Sequence, residues 1–124
     1  NPVVFLQGEI EIHAKRVVNC AGPWAAWVAR MLGYKTESRC VRRQVSLFDC
    51  REVDMNRYGM MIDPSGVYFH PEGTNIMSGI AVRDERPGVN FEYEGESFFQ
   101  ERIWLPLSER SSKFQALRHV TGWA

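Results

Sequence analysis

The chain has 124 residues, with 15 Lys+Arg against 15 Asp+Glu, 44% hydrophobic and 24% charged residues. That is the size and balance of one globular domain rather than of a disordered segment. No apolar run approaches the ~20 residues that cross a bilayer, and zero net charge argues against a general nucleic-acid binder, which needs a basic surface to displace counterions.

Taken from the start, Val3 to Leu6 is an apolar strand, Gln7-Gly8 a tight turn, and Glu9 to Ala14 a strictly alternating strand with Ile10, Ile12 and Ala14 on one face. Together they predict a β-hairpin, with His13 solvated on the polar face beside Glu9 and Glu11. Arg16-Val17-Val18-Asn19-Cys20 is a short β-branched run that reads as a buried strand. It leads into Ala21-Gly22-Pro23, and Pro suits the first turn of a helix, where its missing N–H costs nothing. Trp24, Trp27, Val28, Met31 and Leu32 then recur at helical spacing, an apolar stripe expected to face a core, and Gly33 supplies the stop.

Val41 to Phe48 alternates, with Val41, Arg43, Val45 and Leu47 on one face and Arg42, Gln44, Ser46 and Phe48 on the other. Met60-Met61-Ile62 and Val67-Tyr68-Phe69-His70 are strands joined by Asp63-Pro64-Ser65-Gly66, a strong turn signal. Pro71 to Thr74 turns again before a strand from Asn75 to Val82. Within it, Gly79 marks a place where a ligand or another backbone comes close. Residues 41–82 therefore predict an antiparallel meander, followed by a charged loop from Arg83 to Tyr93. Ser97-x-x-Gln100 reads as a capping box opening a helix with Phe98, Phe99, Arg102, Ile103 and Trp104 at helical spacing, which Pro106 kinks or stops. A shorter helical region from Ser108 to Leu117 and a final strand from Arg118 to Trp123 complete the chain. It begins at Asn1 rather than Met and stops after Gly122-Trp123-Ala124, and its first six residues lack the features of a signal peptide, so it reads as a piece of a longer chain.

Cys20, Cys40 and Cys50 contain no C-x-x-C pair, and His13, His70 and His119 are scattered. No metal site is expected, and the cysteines read as free thiols of a cytoplasmic or other reducing intracellular compartment. The 12 Arg to 3 Lys favour forked recognition of anions but are also accounted for by surface ion pairs. The junction at residues 16–33 is the strongest constellation, because small residues before a helix allow an anionic group to reach backbone N–H donors. The phosphate fingerprint G-x-G-x-x-G is absent.

Val17-Val18-Asn19-Cys20-Ala21-Gly22-Pro23-Trp24 resembles the VVNAAGxW motif of FAD-dependent oxidoreductases of the D-amino-acid oxidase superfamily. The resemblance continues in order. Arg42-Arg43-Gln44-Val45 is similar to the first strand of that family's substrate domain. Asp63 to Pro71 is similar to its D-x-x-G-x-Y-x-x-P hairpin, Ile76 to Gly79 to its hxGG strand, Phe98 to Leu107 to the helix that follows, and Thr121 to Ala124 to its W-A-G return strand. From Phe98 onward the chain most resembles the branch of FAD-dependent oxidoreductase domain-containing proteins.

The resemblance implies an α+β fold, an antiparallel sheet with flanking helices. Residues 1–34 would be part of the FAD-binding domain, 35–118 the substrate-binding domain and 119–124 the start of the return strand. Asn19, Cys20, Ala21, Gly22 and Trp24 would lie beside FAD, with Cys20 replacing the usual Ala as a small apolar residue. Tyr68, His70 and Arg43 would face the substrate, a small amino acid or amine. Each has a plainer alternative: a sheet-surface aromatic, a structural imidazole and a solvated strand Arg. No catalytic residue is assigned, since in such enzymes the cofactor carries the redox step. The implied parent is an amine or amino-acid oxidoreductase. Two alternatives remain, a 2-hydroxy acid dehydrogenase and a binding or assembly protein that keeps the fold without turnover. The chain alone is expected to be inactive and not to retain FAD.

Overall fold

The computed structural model describes the backbone of residues 3–6 and all of residues 10–124. Its contacts divide the chain into two units: residues 1–41 with Pro87–Val89, and Arg42–Arg86 with Asn90–Ala124.

In the N-terminal unit, β1 (Val3–Leu6) and β2 (Ile10–His13) form the expected antiparallel ribbon, with Val3 opposite His13 and Leu6 opposite Ile10. The turn expected at Gln7-Gly8 lies outside the described residues. His13 is exposed and lies 2.9 Å from the Glu11 carboxylate. The strand expected at residues 16–20 does not form. A β-branched run becomes a strand only where a neighbour pairs with its backbone, and no described strand lies beside this one; Val18 is 82% exposed. A 3₁₀ turn (Gly22–Trp24) leads into α1 (Ala25–Met31). The helix ends in a Schellman motif: Tyr34 N–H donates to the Ala29 carbonyl and Gly33 N–H to the Arg30 carbonyl, both at 3.0 Å, with Gly33 at φ +80°. The apolar stripe does not enter a core. None of α1 is buried, and Trp27 and Met31 are 58% and 83% exposed.

The second unit is a five-stranded antiparallel sheet in the order β4-β5-β6-β3-β7, so its class is α+β. The strands are β3 (Val45–Asp49), β4 (Met61–Ile62), β5 (Tyr68–Glu72), β6 (Asn75–Gly79) and β7 (Arg118–Trp123). Strand β6 is shorter than predicted. The Asp63–Gly66 turn forms as expected: the Gly66 and Ser65 N–H groups donate to the Asp63 carbonyl and carboxylate, both at 2.8 Å.

Helical segments cover one face of this sheet. Helix α2 (Glu96–Phe98) runs on through a π-helical segment (Phe99–Trp104) into α3 (Leu105–Arg110), and a 3₁₀ turn (Ser112–Ala116) follows. The capping box does not form. Gly95 is the N-cap, at φ +69°, and Ser97 already lies inside the first turn, its hydroxyl donating to the Glu94 carbonyl at 2.9 Å. Pro106 does not stop the helix; it sits in the first turn of α3, directly after the widened π segment, where a missing N–H is least missed. Phe98, Phe99, Ile103, Leu107 and Leu117 pack with Phe48, Val67, Phe69 and Ile76 as the core. Phe48 and Phe99 meet at 5.8 Å and Phe69 and Phe114 edge to face at 6.0 Å. In β3 the covered face is Ser46 and Phe48, continued upstream by Gln44; Val45 and Leu47 point to the other, half-exposed face. Among the described residues no helix is long and apolar enough to cross a membrane.

Candidate functional site

The first candidate lies in the N-terminal unit. The Asn19 side chain spans the turn before the helix: Nδ2 donates to the Ala25 carbonyl at 2.8 Å, and Oδ1 accepts from the Ala21 N–H at 3.2 Å. Trp24 N–H donates to the Ala21 carbonyl at 3.0 Å. These bonds hold Gly22 at φ +51°, a conformation that suits glycine, with nothing within 4 Å of where a Cβ would stand. Cys20 is exposed and carries no disulfide. Gly22, Pro23, Ala26, Arg39 and Cys40 line a recess of about 290 Å³. Asn19 thus organises the turn, while Ala21 and Gly22 leave the backbone open to a close-lying group.

The second candidate is the uncovered face of the sheet. Strand alternation puts Tyr68 and His70 on it together, and the pairing extends each into a row. Tyr68 is opposite Gly79, Gly79 opposite Val45, and Val45 opposite Trp123. His70 is opposite Met77, Met77 opposite Leu47, and Leu47 opposite Thr121. The Tyr68 ring is half-buried over Gly79: a Cβ there would stand 2.5 Å from the Tyr68 hydroxyl and 2.8 Å from Cζ. The close approach foreseen at Gly79 is therefore made by a side chain of the same sheet. His70 Nδ1 lies 2.9 Å from the Pro71 carbonyl and 4.0 Å from a Glu72 carboxylate oxygen. A carbonyl only accepts, so the neutral ring carries its proton on Nδ1 and leaves Nε2 an acceptor. Arg43 precedes β3, is exposed, and donates to the Arg42 carbonyl at 2.9 Å.

Two polar groupings on the covered side escaped the sequence reading. Arg42 is the more committed of the adjacent arginines: it donates to Glu85, Glu94 and the Glu92 carbonyl, and its side chain is 10% exposed. The bond from Arg42, with that from Gln44, holds the Glu94 carboxyl below the usual carboxylate range. Farther along, the Tyr93 hydroxyl joins Ser46 Oγ and His119 Nε2, each at 2.8 Å, and the His119 ring lies 5.3 Å from Phe99. Burial pushes the Tyr93 phenol above its ordinary range, against the opposing effect of the Ser46 bond. The only available signal was alternation: Arg42, Gln44 and Ser46 share a face with Phe48. Among the described residues, no group of three or more His, Cys, Asp and Glu could hold a metal ion.

The chain is similar to three proteins named FAD-dependent oxidoreductase domain-containing protein 1. It is 32% identical to the Bos taurus protein over 124 residues, covering 87% of this chain and 25% of that protein. It is 28% identical to the Xenopus laevis protein over 127 residues, covering 91% of this chain and 26% of that protein. Identity to the Mus musculus protein is 28% over 122 residues, covering 87% of this chain and 25% of that protein. The chain thus spans about a quarter of the length of these relatives. No protein-family model and no solved structure matches it. The shared name supports kinship with FAD-dependent oxidoreductases.

Proposed function

We propose that this chain is part of a FAD-dependent oxidoreductase that oxidises an amine or amino acid, and that it supplies the substrate-facing sheet and one short stretch against the cofactor. The reading rests most on the uncovered sheet face that carries Tyr68 and His70 side by side on β5. Kinship with proteins named for a FAD-dependent oxidoreductase domain supports it.

The turn fits a backbone contact with a flavin dinucleotide but not a whole site. Gly22 has open space where a Cβ would be, and the chain has no G-x-G-x-x-G phosphate cradle. Asn19, Cys20, Ala21, Gly22 and Trp24 are the residues that would lie beside the cofactor. FAD, when bound, would supply the redox chemistry, as the acceptor of a hydride. On the sheet face, the Tyr68 phenol donates to a substrate carboxylate and His70 Nε2 accepts a hydrogen bond from the substrate nitrogen. Exposed Arg43 adds a cation for the same carboxylate. Val45, Leu47 and Met77 give the face an apolar middle.

One observation favours a second reading, a fold kept for binding or assembly without turnover: Tyr68 already fills the space over Gly79. The complete parent chain separates the two. Purified under air, it is expected to be yellow, and its flavin to bleach anaerobically with amines or amino acids. Bleaching by 2-hydroxy acids alone would move the substrate class, a yellow protein that no donor bleaches would favour the second reading, and a colourless protein would contradict the proposal.

A further inference from the structure

The chain passes between the two units three times, at 41/42, 86/87 and 89/90. The residues around these passages converge on one side chain. Arg42 is the first residue of the sheet unit. Its Nε and Nη2 donate to the two oxygens of Glu85 at 2.9 and 3.3 Å, just before the second passage. Its Nη1 donates to the Glu92 carbonyl at 2.8 Å, just after the third, and Nη2 also donates to the Glu94 carboxylate. The side chains of Arg42 and Glu85 are 10% and 15% exposed, so this forked pair is largely out of water, where charge-assisted bonds are strongest. Gln44 adds a bond to the Glu94 N–H at 2.8 Å. Within the N-terminal unit, the excursion has its own fastening: Gly88 N–H donates to the Cys40 carbonyl at 3.0 Å, and Val41 pairs with Pro87.

We propose that Arg42 is a conformational clamp that closes the base of the 86–91 excursion and so sets how readily that loop opens. The clamp works because one fork holds both flanks of the excursion. Without the Arg42 cation, Glu85 and Glu94, both bonded to its Nη2, are left as neighbouring carboxylates, with Arg102 still acting on Glu94, and their repulsion opens the base. On the Glu94 side, the Gln44 bond to its N–H and the Ser97 bond to its carbonyl then remain. The role is one of positioning, and it makes Arg42, unlike Arg43, unavailable to a ligand.

Hydrogen exchange followed residue by residue in the full 124-residue chain tests this. In Arg42→Gln, the Gly88 amide is expected to exchange at least about tenfold faster, while the amides of β3 and β6 keep their wild-type rates. Adding Glu85→Gln and Glu94→Gln removes the repulsion and is expected to restore part of the protection. Arg42→Lys keeps the charge without the fork; it is expected to exchange at an intermediate rate and carries the test if Arg42→Gln does not fold. A wild-type rate at Gly88 in Arg42→Gln would overturn the proposal. So would equal acceleration across the sheet, which would make Arg42 a general support of the fold.

Discussion

Tyr68 occupies the volume that a side chain at residue 79 would need, and this steric relation makes the sheet face testable one residue at a time. In Gly79→Ala the new methyl meets the Tyr68 ring and, at 3.1 Å, the Gln44 carbonyl. Overpacking of this kind costs about 1–3 kcal/mol. Urea unfolding is expected to show a loss of that size, with Tyr68→Leu in the same chain recovering part of it. Full additivity of the two changes would mean that the ring and residue 79 do not share that space. Asp63 gives a second test. Burial opposes its charge, but the Ser65 bonds and Arg110 at 2.9 Å outweigh it, so its carboxyl titrates below the usual range. A depressed carboxyl contributes stability that is full above its unfolded value of about 3.9 and is lost as pH falls through the lower folded one. Acid unfolding of Asp63→Asn is therefore expected to be less steep than wild type below about pH 4, and an identical pH dependence would contradict the assignment.

Among the elements, the π segment carries the layer over the sheet. Ile103 lies within it, fully buried, in the cluster with Phe48 and Leu107. Truncating such a residue costs about 2–5 kcal/mol, so Ile103→Ala is expected to lower the urea midpoint strongly, with Ile103→Val costing about 0.5–1.5 kcal/mol. A small effect of Ile103→Ala would mean that the helical layer is not packed as described. Local chemistry made several elements legible: the Asp63–Gly66 turn, the β5–β6 hairpin and the stop at Gly33 follow from residues within a few positions. The covered face of β3 was not legible. Val45 and Leu47 look more core-like than Gln44 and Ser46, yet the polar pair is buried, because partners some 50 residues away, Tyr93 and Glu94, supply its bonds. Likewise, the run at 16–20 has strand composition but no described strand to pair with.

The molecule as a whole presents two units of different character. The sheet unit has a covered side with a continuous apolar core and an uncovered side bearing Tyr68 and His70. The N-terminal unit carries the Asn19–Trp24 turn and a helix whose apolar stripe is exposed. An apolar stripe in a sequence says that a helix wants a partner, not that the same chain provides one. That is why the stripe was readable and its burial was not. The candidate site divides in the same way. The hairpin and its alternation place Tyr68 and His70 together from sequence alone, whereas nothing local distinguished Arg42, bound by the acidic loop, from exposed Arg43.

The measurement that bears most directly on the substrate-facing role of the sheet is the concentration dependence of anaerobic flavin bleaching in the complete parent, compared between wild type and Tyr68→Phe. A hydrogen bond to a charged group is worth about 1.5–3 kcal/mol, so the half-saturating concentration of an amino-acid substrate is expected to rise by about tenfold or more, with the limiting rate little changed. Equal half-saturation in the two proteins would contradict the assignment of Tyr68 and, with it, of the uncovered sheet face.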